Sequence, residues 1–382
     1  MRILFVIQNL GLGGIIRQVS LLASGLQKNG HEVSVLALKT IDGEWVRLWE
    51  AQQVRIRTIC DSRPWNIFPR AGLVWATYEL RRVIKKERIQ VVYAFQGHAA
   101  RFISWLAVSS VPGTKVVWGV RGIIPLKNLE GYTYSVSTSV YLNKWVSPYV
   151  PLMISNSLEG LVSRRSLGYV CGREIVIPNG IDTDKFRPDP TARDMVRREW
   201  GVPGDARLIG VAARLSPEKG HNVFIEAASM LLKEGRDVRF VCIGDGDENY
   251  KKGLQLKSLH LGLGDRILWA GTREDMPSIY NTLDIHCSSS FLEGFPNVIG
   301  EAMACGVPCV VTDVGSSALI VGDLGKVVQP GDPAALAVAL GGMLDLLPEV
   351  RPEDIRNRIT ENFTVDMMVG KTEEALEELL NG

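Results

Sequence analysis

Arg214 and Lys219 bracket a short run rich in turn formers, Ala213-Arg-Leu-Ser-Pro-Glu-Lys-Gly220. The run follows the apolar stretch 208–213, which reads as a strand that Arg214 closes. Ser216 is a good N-cap and Pro217 a good first helical residue, so a helix is expected over 217–233 with Lys219 in its first turn. A cation there opposes the helix dipole, at a cost of about 0.3–1 kcal/mol. A polyanionic ligand reverses that sign. Two cations converging on a helix N-terminus after a strand are what a diphosphate requires. The plain alternative is a solvated lysine.

Two carboxylates stand in Ser290-Phe-Leu-Glu-Gly-Phe-Pro-Asn-Val-Ile-Gly-Glu-Ala-Met-Ala-Cys-Gly-Val-Pro308. Glu293 falls in the loop after a strand. Pro296 can open a helix that carries Glu301 on its second turn. The loop through Gly294, Phe295, Pro296 and Asn297 offers backbone amides to the same ligand that Glu293 faces. Carboxylates so placed accept hydrogen bonds from vicinal hydroxyls, of a sugar or a ribose, without a metal. The plain alternative is one capping and one surface glutamate.

Three further features are weaker. Asn9-Leu-Gly-Leu-Gly-Gly-Ile-Ile-Arg17 resembles a dinucleotide-binding loop, but Ile16 stands where the third glycine belongs. No acidic residue ends the second strand near Leu38 to take a ribose hydroxyl either. What survives is close backbone approach, at Gly11, Gly13 and Gly14, to an anion or sugar. Gln96-Gly97-His98 follows the strand 91–95, so His98 is placed to meet a hydroxyl or phosphate. Arg121 follows another strand in Trp118-Gly-Val-Arg-Gly122 with the same placement. Both also read as ordinary structural residues.

The elements that must position these residues repeat one grammar: strand, Gly-rich turn, helix. Short apolar runs at 3–7, 33–38, 91–95, 116–120, 152–155 and 175–177 fit parallel strands buried on both faces. Helices are expected over 16–28 and 73–87. Pro178-Asn179-Gly180 turns the chain, and a polar, Pro-rich stretch runs over 187–205. Then the pattern restarts with strands at 208–213, 238–243, 267–270, 284–287 and 308–312 and an acidic helix at 365–380. The strand 238–243 ends in Gly244-Asp245-Gly246. This alternation argues for two tandem α/β domains with doubly wound parallel sheets, whose ligands sit beyond the strands' carboxyl ends.

Bulk properties narrow the class. The 382 residues suffice for two domains, and no apolar run reaches the length of a membrane span. The N-terminal apolar run is too short for a signal peptide. Cys60, Cys171, Cys242, Cys287, Cys305 and Cys309 show no zinc or redox spacing and read as buried reduced thiols; the five histidines show no metal-ligand spacing. A net charge of +1 conceals an asymmetry: residues 1–180 carry 22 Lys and Arg against 10 Asp and Glu, and residues 181–382 carry 21 against 32.

Taken together, the residues resemble the retaining glycosyltransferases of family 4. The resemblance spans nearly the whole chain. It rests on Gly11 to Gly14, Ile154-Ser-Asn-Ser157, Ile177-Pro-Asn-Gly-Ile-Asp182, the Arg214–Lys219 run, Ile243-Gly-Asp-Gly246 and the stretch from Glu293 to Pro308. It implies the GT-B architecture of two facing Rossmann-like domains with a cleft between them. An acceptor-binding domain is expected over 1–184 and a donor-binding domain over 185–362, with a helix at 363–382 packing back on the first. It also implies that Arg214 and Lys219 bind the donor diphosphate, that Glu293 contacts the donor sugar, that Glu301 holds the ribose, and that His98 lies near the sugar. Gly13, Gly14, Arg121, Gly244, Gly246, Gly294, Phe295, Pro296 and Asn297 complete the expected donor contacts. Two departures, Ile15-Ile16 and Leu319 in place of the acidic residues of many relatives, make acceptor details less transferable.

The activity so implied is transfer of a sugar from a nucleotide diphosphate sugar to an acceptor hydroxyl with retained configuration, on a saccharide or lipid-linked envelope precursor. No cofactor and no metal are expected. A front-face substitution is expected, in which the leaving phosphate deprotonates the acceptor. Glu293 and Glu301 acting as the acid and base of a hydrolase is the less favoured scheme. The rival readings are an epimerase or phosphorylase of the same fold, and a non-catalytic nucleotide-sugar-binding protein. The cationic helix at Arg81-Arg-Val-Ile-Lys-Lys-Glu-Arg88 fits an anionic bilayer surface, so a cytoplasmic protein peripheral to the membrane is expected. No nucleic-acid recognition motif is present.

Overall fold

The computed structural model describes residues 1–8, 13–38, 54–59, 69–124 and 138–382. Gly11 and Cys60 lie outside the described residues. The chain divides into two compact units. Among the described residues the first comprises Met1–Ile124, 138–180 and Val365–Gly382, and the second Ile181–Thr364. The division falls at the Gly180–Ile181 turn rather than at 184.

The first unit holds seven parallel strands: β1 (Arg2–Ile7), β2 (Glu32–Ala37), β3 (Arg55–Thr58), β4 (Val91–Gln96), β5 (Lys115–Val120), β6 (Leu152–Ser155) and β7 (Arg173–Val176). Their order is β3-β2-β1-β4-β5-β6-β7. The second unit holds six: β8 (Arg207–Ala212), β9 (Val238–Ile243), β10 (Ile267–Gly271), β11 (Ile285–Ser288), β12 (Cys309–Thr312) and β13 (Lys326–Val328), in the order β10-β9-β8-β11-β12-β13 and again parallel. The apolar runs form these strands because crossover helices cover both faces; Ile3 to Ile7 are all buried. The edge strands β3 and β13 carry no apolar run, and their side chains are mostly part-exposed, so no sequence pattern marks them.

The final helix, Val365–Asn381, belongs to the first unit, where Met368, Val369 and Leu376 join the core under the helix Gly14–Lys28. Gly25 permits this approach, since an added Cβ would overlap Val369. At the rim, Glu373 accepts from Asn29 Nδ2 at 2.6 Å and lies 2.6 Å from His31 Nε2. Buried Gln18 closes the unit by bonding both the carbonyl and the amide of Gly180, at 2.9 and 3.1 Å.

The described cysteines are free, and Cys242, Cys287, Cys305 and Cys309 are buried. Burial pushes the Cys305 thiol up to about 12, which leaves it inert. Among the described residues no helix is long and apolar enough to cross a membrane.

Candidate active site

The strand order reverses between β1 and β4 in the first sheet and between β8 and β11 in the second. At such a point the loops leaving the strands' carboxyl ends diverge and open a crevice for a ligand. Of the residues singled out from sequence, His98, Arg214, Lys219 and Glu293 follow these strands, whereas Arg121 follows β5.

In the second unit, Arg214 and Lys219 follow β8, and Glu293 follows β11. The helix expected over 217–233 is in two pieces. Pro217–Lys219 is a 3-10 turn, Gly220 is left-handed at φ 66°, and the α-helix starts at His221. Lys219 therefore precedes the helix rather than occupying its first turn, and the dipole argument for it fails. The physical reason is a close approach: an added Cβ on Gly220 would overlap the carbonyl oxygen of Ser289. Two bonds stitch the loops there, Phe291 N to Glu218 O at 2.8 Å and Ser289 Oγ to Lys219 O at 3.1 Å.

This stitching brings Lys219 Nζ to 2.6 Å from Glu293 Oε1, an oxygen that also accepts from Ser290 Oγ at 2.8 Å. One residue before Lys219, buried Glu218 accepts from Arg214 Nη2 at 2.7 Å, while the Arg214 side chain is 68% exposed. Burial opposes ionisation of Glu218, but local hydrogen bonds, Arg214's among them, outweigh it and hold its carboxyl below the usual range. His221, which opens the helix, is fully buried with no partner for either ring nitrogen. Burial, and secondarily the Lys219 charge, push it down to about 4, so it is neutral at physiological pH.

The remaining expected residues of this unit gather around the same loops. Pro296 caps the helix Asn297–Ala304, and Glu301 lies buried in its second turn, its Oε2 accepting from the Tyr280 hydroxyl at 3.0 Å. Helix-terminal amides such as those beginning at Asn297 lack intrahelical acceptors and favour anions. The Gly294 carbonyl accepts from Ser316 N at 2.9 Å. The Phe295 ring is core, 5.7 Å from that of Phe363, so only its backbone is available to a ligand. Gly244 and Gly246 let the loop after β9 lie against the Arg214 loop, with Leu215 N donating to Asp245 O at 3.0 Å. A side chain at either glycine would overlap a carbonyl oxygen, of Ala213 or Leu215.

In the first unit, Gly13 and Gly14 open the helix Gly14–Lys28 as an exposed, side-chain-free N-terminus after β1. Ile16 is buried in the core, which explains why no third glycine stands there. His98 begins the helix His98–Val108 directly after β4, with Gly97 at φ 93° before it. Burial, then the charges of Arg101 and Arg164, push His98 down to about 3, so its imidazole is neutral. Arg121 turns inward: it donates to Tyr93 Oη at 2.9 Å and Asn179 Oδ1 at 3.3 Å, and stacks 3.9 Å from the Phe95 ring centroid. Its guanidinium is buried.

Sequence reasoning missed Glu218, Ser290, Tyr280 and Arg101. Glu218 was findable, because an acidic residue four after Arg214 is a natural ion-pair partner. Tyr280 carried no local signal, since only the packing of separate helices brings it to Glu301.

A family model described as Glycosyltransferase Family 4 matches residues 12–185, and one described as Glycosyl transferases group 1 matches residues 206–345. The UDP-Gal:alpha-D-GlcNAc-diphosphoundecaprenol alpha-1,3-galactosyltransferase of Escherichia coli is 30% identical over 51% of this chain and 52% of its own length. The GDP-mannose-dependent alpha-(1-6)-phosphatidylinositol monomannoside mannosyltransferase of Mycolicibacterium smegmatis is 30% identical over 54% of this chain and 56% of its own length. The chain thus spans about half the length of these curated relatives. The crystal structure of Anabaena HepE in complex with UDP-glucose has a TM-score of 0.83 at 22% identity, covering 99% of this chain and 100% of that one. The two family matches fall one on each sheet and together take in both sets of site residues: the chain belongs to the family 4 glycosyltransferases and has the GT-B fold class.

Proposed function

We propose that this protein is a retaining glycosyltransferase that moves a sugar from a nucleotide diphosphate sugar to an acceptor hydroxyl, on a lipid-linked saccharide or a polysaccharide precursor. The observation that carries the reading is the Lys219–Glu293 pair at 2.6 Å, set by Ser290 and the Gly220 turn at the reversal point of the second sheet. One member of the pair suits a diphosphate and the other a sugar hydroxyl.

In this reading, Lys219 and the exposed Arg214 stabilise charge growing on the leaving diphosphate, an effect often worth several kcal/mol. Glu293 accepts from donor-sugar hydroxyls. Glu301, oriented by Tyr280, accepts from the ribose. The backbone N–H groups of Gly294, Phe295 and Asn297 face the sugar and phosphate; Pro296 has none. The leaving phosphate takes the acceptor proton, so no protein general base is assigned. Neutral His98 serves as a hydrogen-bond partner rather than an acid. No resident metal is assigned; Lys219 and Arg214, paired here with Glu293 and Glu218, would turn toward the diphosphate when the donor binds. The basic run Arg81 to Arg88 supports peripheral contact with an anionic membrane face, where a lipid-linked acceptor resides.

Incubation with a panel of nucleotide sugars and lipid-linked acceptors tests the reading. Nucleoside diphosphate released only when acceptor is present, with a product of the donor's anomeric configuration, is the expected result. Calorimetry that detects no association with any nucleotide sugar or nucleoside diphosphate overturns it.

A further inference from the structure

Three helices of the first unit lie side by side: Pro69–Glu87 packs along His98–Val108, which packs along Thr138–Val146. Each leads into the start of a strand, β4, β5 or β6, and those strands are neighbours in the sheet. Their final turns are therefore gathered at the edge where the strands begin. The strands' opposite ends carry His98 and Arg121, on the order of 20 Å away along six residues.

This surface combines exposed aromatic rings with cations. Along Pro69–Glu87, the outward positions Val74, Tyr78, Arg81 and Lys85 form one stripe at helical spacing, apolar in its first half and cationic in its second. Arg82, Lys86 and Arg88 add exposed charge at the same end. On the neighbouring elements, Trp145 is 75% and Tyr149 72% exposed, with Tyr141 and Leu106 also outside. Tyr149 rests on Trp105 at 6.2 Å between ring centroids, so this ring is held in place at the surface.

We propose that this face seats in the interfacial layer of an anionic bilayer, with Trp145 and Tyr149 entering among the headgroups and Arg81, Arg82, Lys85 and Lys86 on the lipid phosphates. Exposed Trp and Tyr rings prefer the boundary between water and acyl chains, and flanking Lys and Arg complement anionic headgroups. A second copy of this chain fits the surface poorly, because a two-fold contact would set the cationic run against itself. The inference rests on the membrane-contact part of the proposed function. It adds an apolar, salt-resistant component that the basic helix alone does not supply.

Flotation of the full chain with vesicles of phosphatidylcholine alone, or mixed with phosphatidylglycerol, tests it. Two exposed sets are compared: Trp145→Ala with Tyr149→Ala, and Arg81→Gln, Arg82→Gln, Lys85→Gln with Lys86→Gln. Unchanged melting temperatures establish that both sets fold. The wild type is expected to partition to mixed vesicles and to keep part of that binding in high salt. The charge set loses its preference for mixed vesicles by at least about tenfold. The aromatic set loses the salt-resistant part by at least about tenfold. Brominated lipid quenches wild-type tryptophan fluorescence more than that of Trp145→Ala. Absent flotation on mixed vesicles at low salt, or an aromatic set that partitions like the wild type, overturns the proposal. So does a wild-type dimer in ultracentrifugation that Trp145→Ala dissociates. Nucleotide binding by calorimetry is read in parallel: nucleotide binding without vesicle binding sinks only this docking face, and vesicle binding without nucleotide binding sinks only the transferase reading.

Discussion

The backbone of Gly220 presses against the carbonyl of Ser289, leaving no volume for a Cβ. That contact ends the 3-10 turn, delays the α-helix to His221 and brings Lys219 to Glu293. Gly220→Ala adds both an overlap and a strained left-handed backbone, at a cost of about 1–3 kcal/mol. A lowered melting temperature with a larger loss in kcat/KM is expected. A variant with wild-type melting and turnover would mean that the turn does not set the site.

Lys219→Met and Arg214→Ala should each lower kcat by about 10²–10³, as expected when donors to developing charge are removed. Glu293→Gln keeps the hydrogen-bonding shape but removes the partner of Lys219. Because Lys219 and Glu293 are in contact, the double variant should depart from the sum of the single effects by about 0.5–3 kcal/mol. Steady-state kinetics on the four proteins measures this, and additivity would show that the pair does not act together.

If Glu301 accepts from the donor ribose as proposed, Tyr280 reaches the donor only through it. Its hydroxyl hydrogen-bonds a carboxylate, an interaction worth about 1.5–3 kcal/mol. Tyr280→Phe is therefore expected to raise donor KM by about tenfold or more with little change in kcat. The penalty should shrink for a donor lacking the ribose hydroxyls. An equal penalty for both donors would assign Tyr280 a purely structural role.

Burial pushes the imidazoles of His98, His221 and His286 down, to about 3, 4 and 4. In the unfolded chain they titrate near 6.5. The unfolded state therefore binds more protons below that pH. The associated stability is complete above pH 6.5 and falls with acidification toward the folded values, by up to about 1.4 kcal/mol per pH unit for each histidine. Urea titrations at stepwise pH from 8 to 5 should show this slope, and His221→Gln should reduce it. An unchanged slope in the variant removes His221 from the account.

Gly25→Leu should loosen the last helix, because its side chain would enter the space of Val369. Overpacking of this kind costs about 1–3 kcal/mol. Faster amide exchange in Val365–Asn381 is the expected signature, and exchange equal to wild type would show that the helix is held elsewhere.

The strands β6 and β9 match their apolar runs residue for residue, and most others match within one or two residues. Such runs have only one comfortable home, a parallel strand covered on both faces. The edge strand Arg55–Thr58 escaped because a half-exposed strand of alternating arginines carries no such run. The Arg214, Glu293 and Glu301 segments stood out because glycines, prolines and charges cluster in them, although the structure shows that Gly220 is there for close backbone packing.

What the chain's order of residues determined by itself was the alternation of strand and helix and the restart after residue 205, since each depends on local pattern. Only the tertiary structure decided that Lys219 meets Glu293, that Arg121 turns inward onto Phe95, and that the last helix lies against Gly25. The first depends on β8 and β11 becoming neighbours where the sheet order reverses, the second on the pairing of β4 with β5, and the third on helix packing. Contacts between residues far apart in sequence follow from that topology and from close packing, and neither is written in any local run of residues.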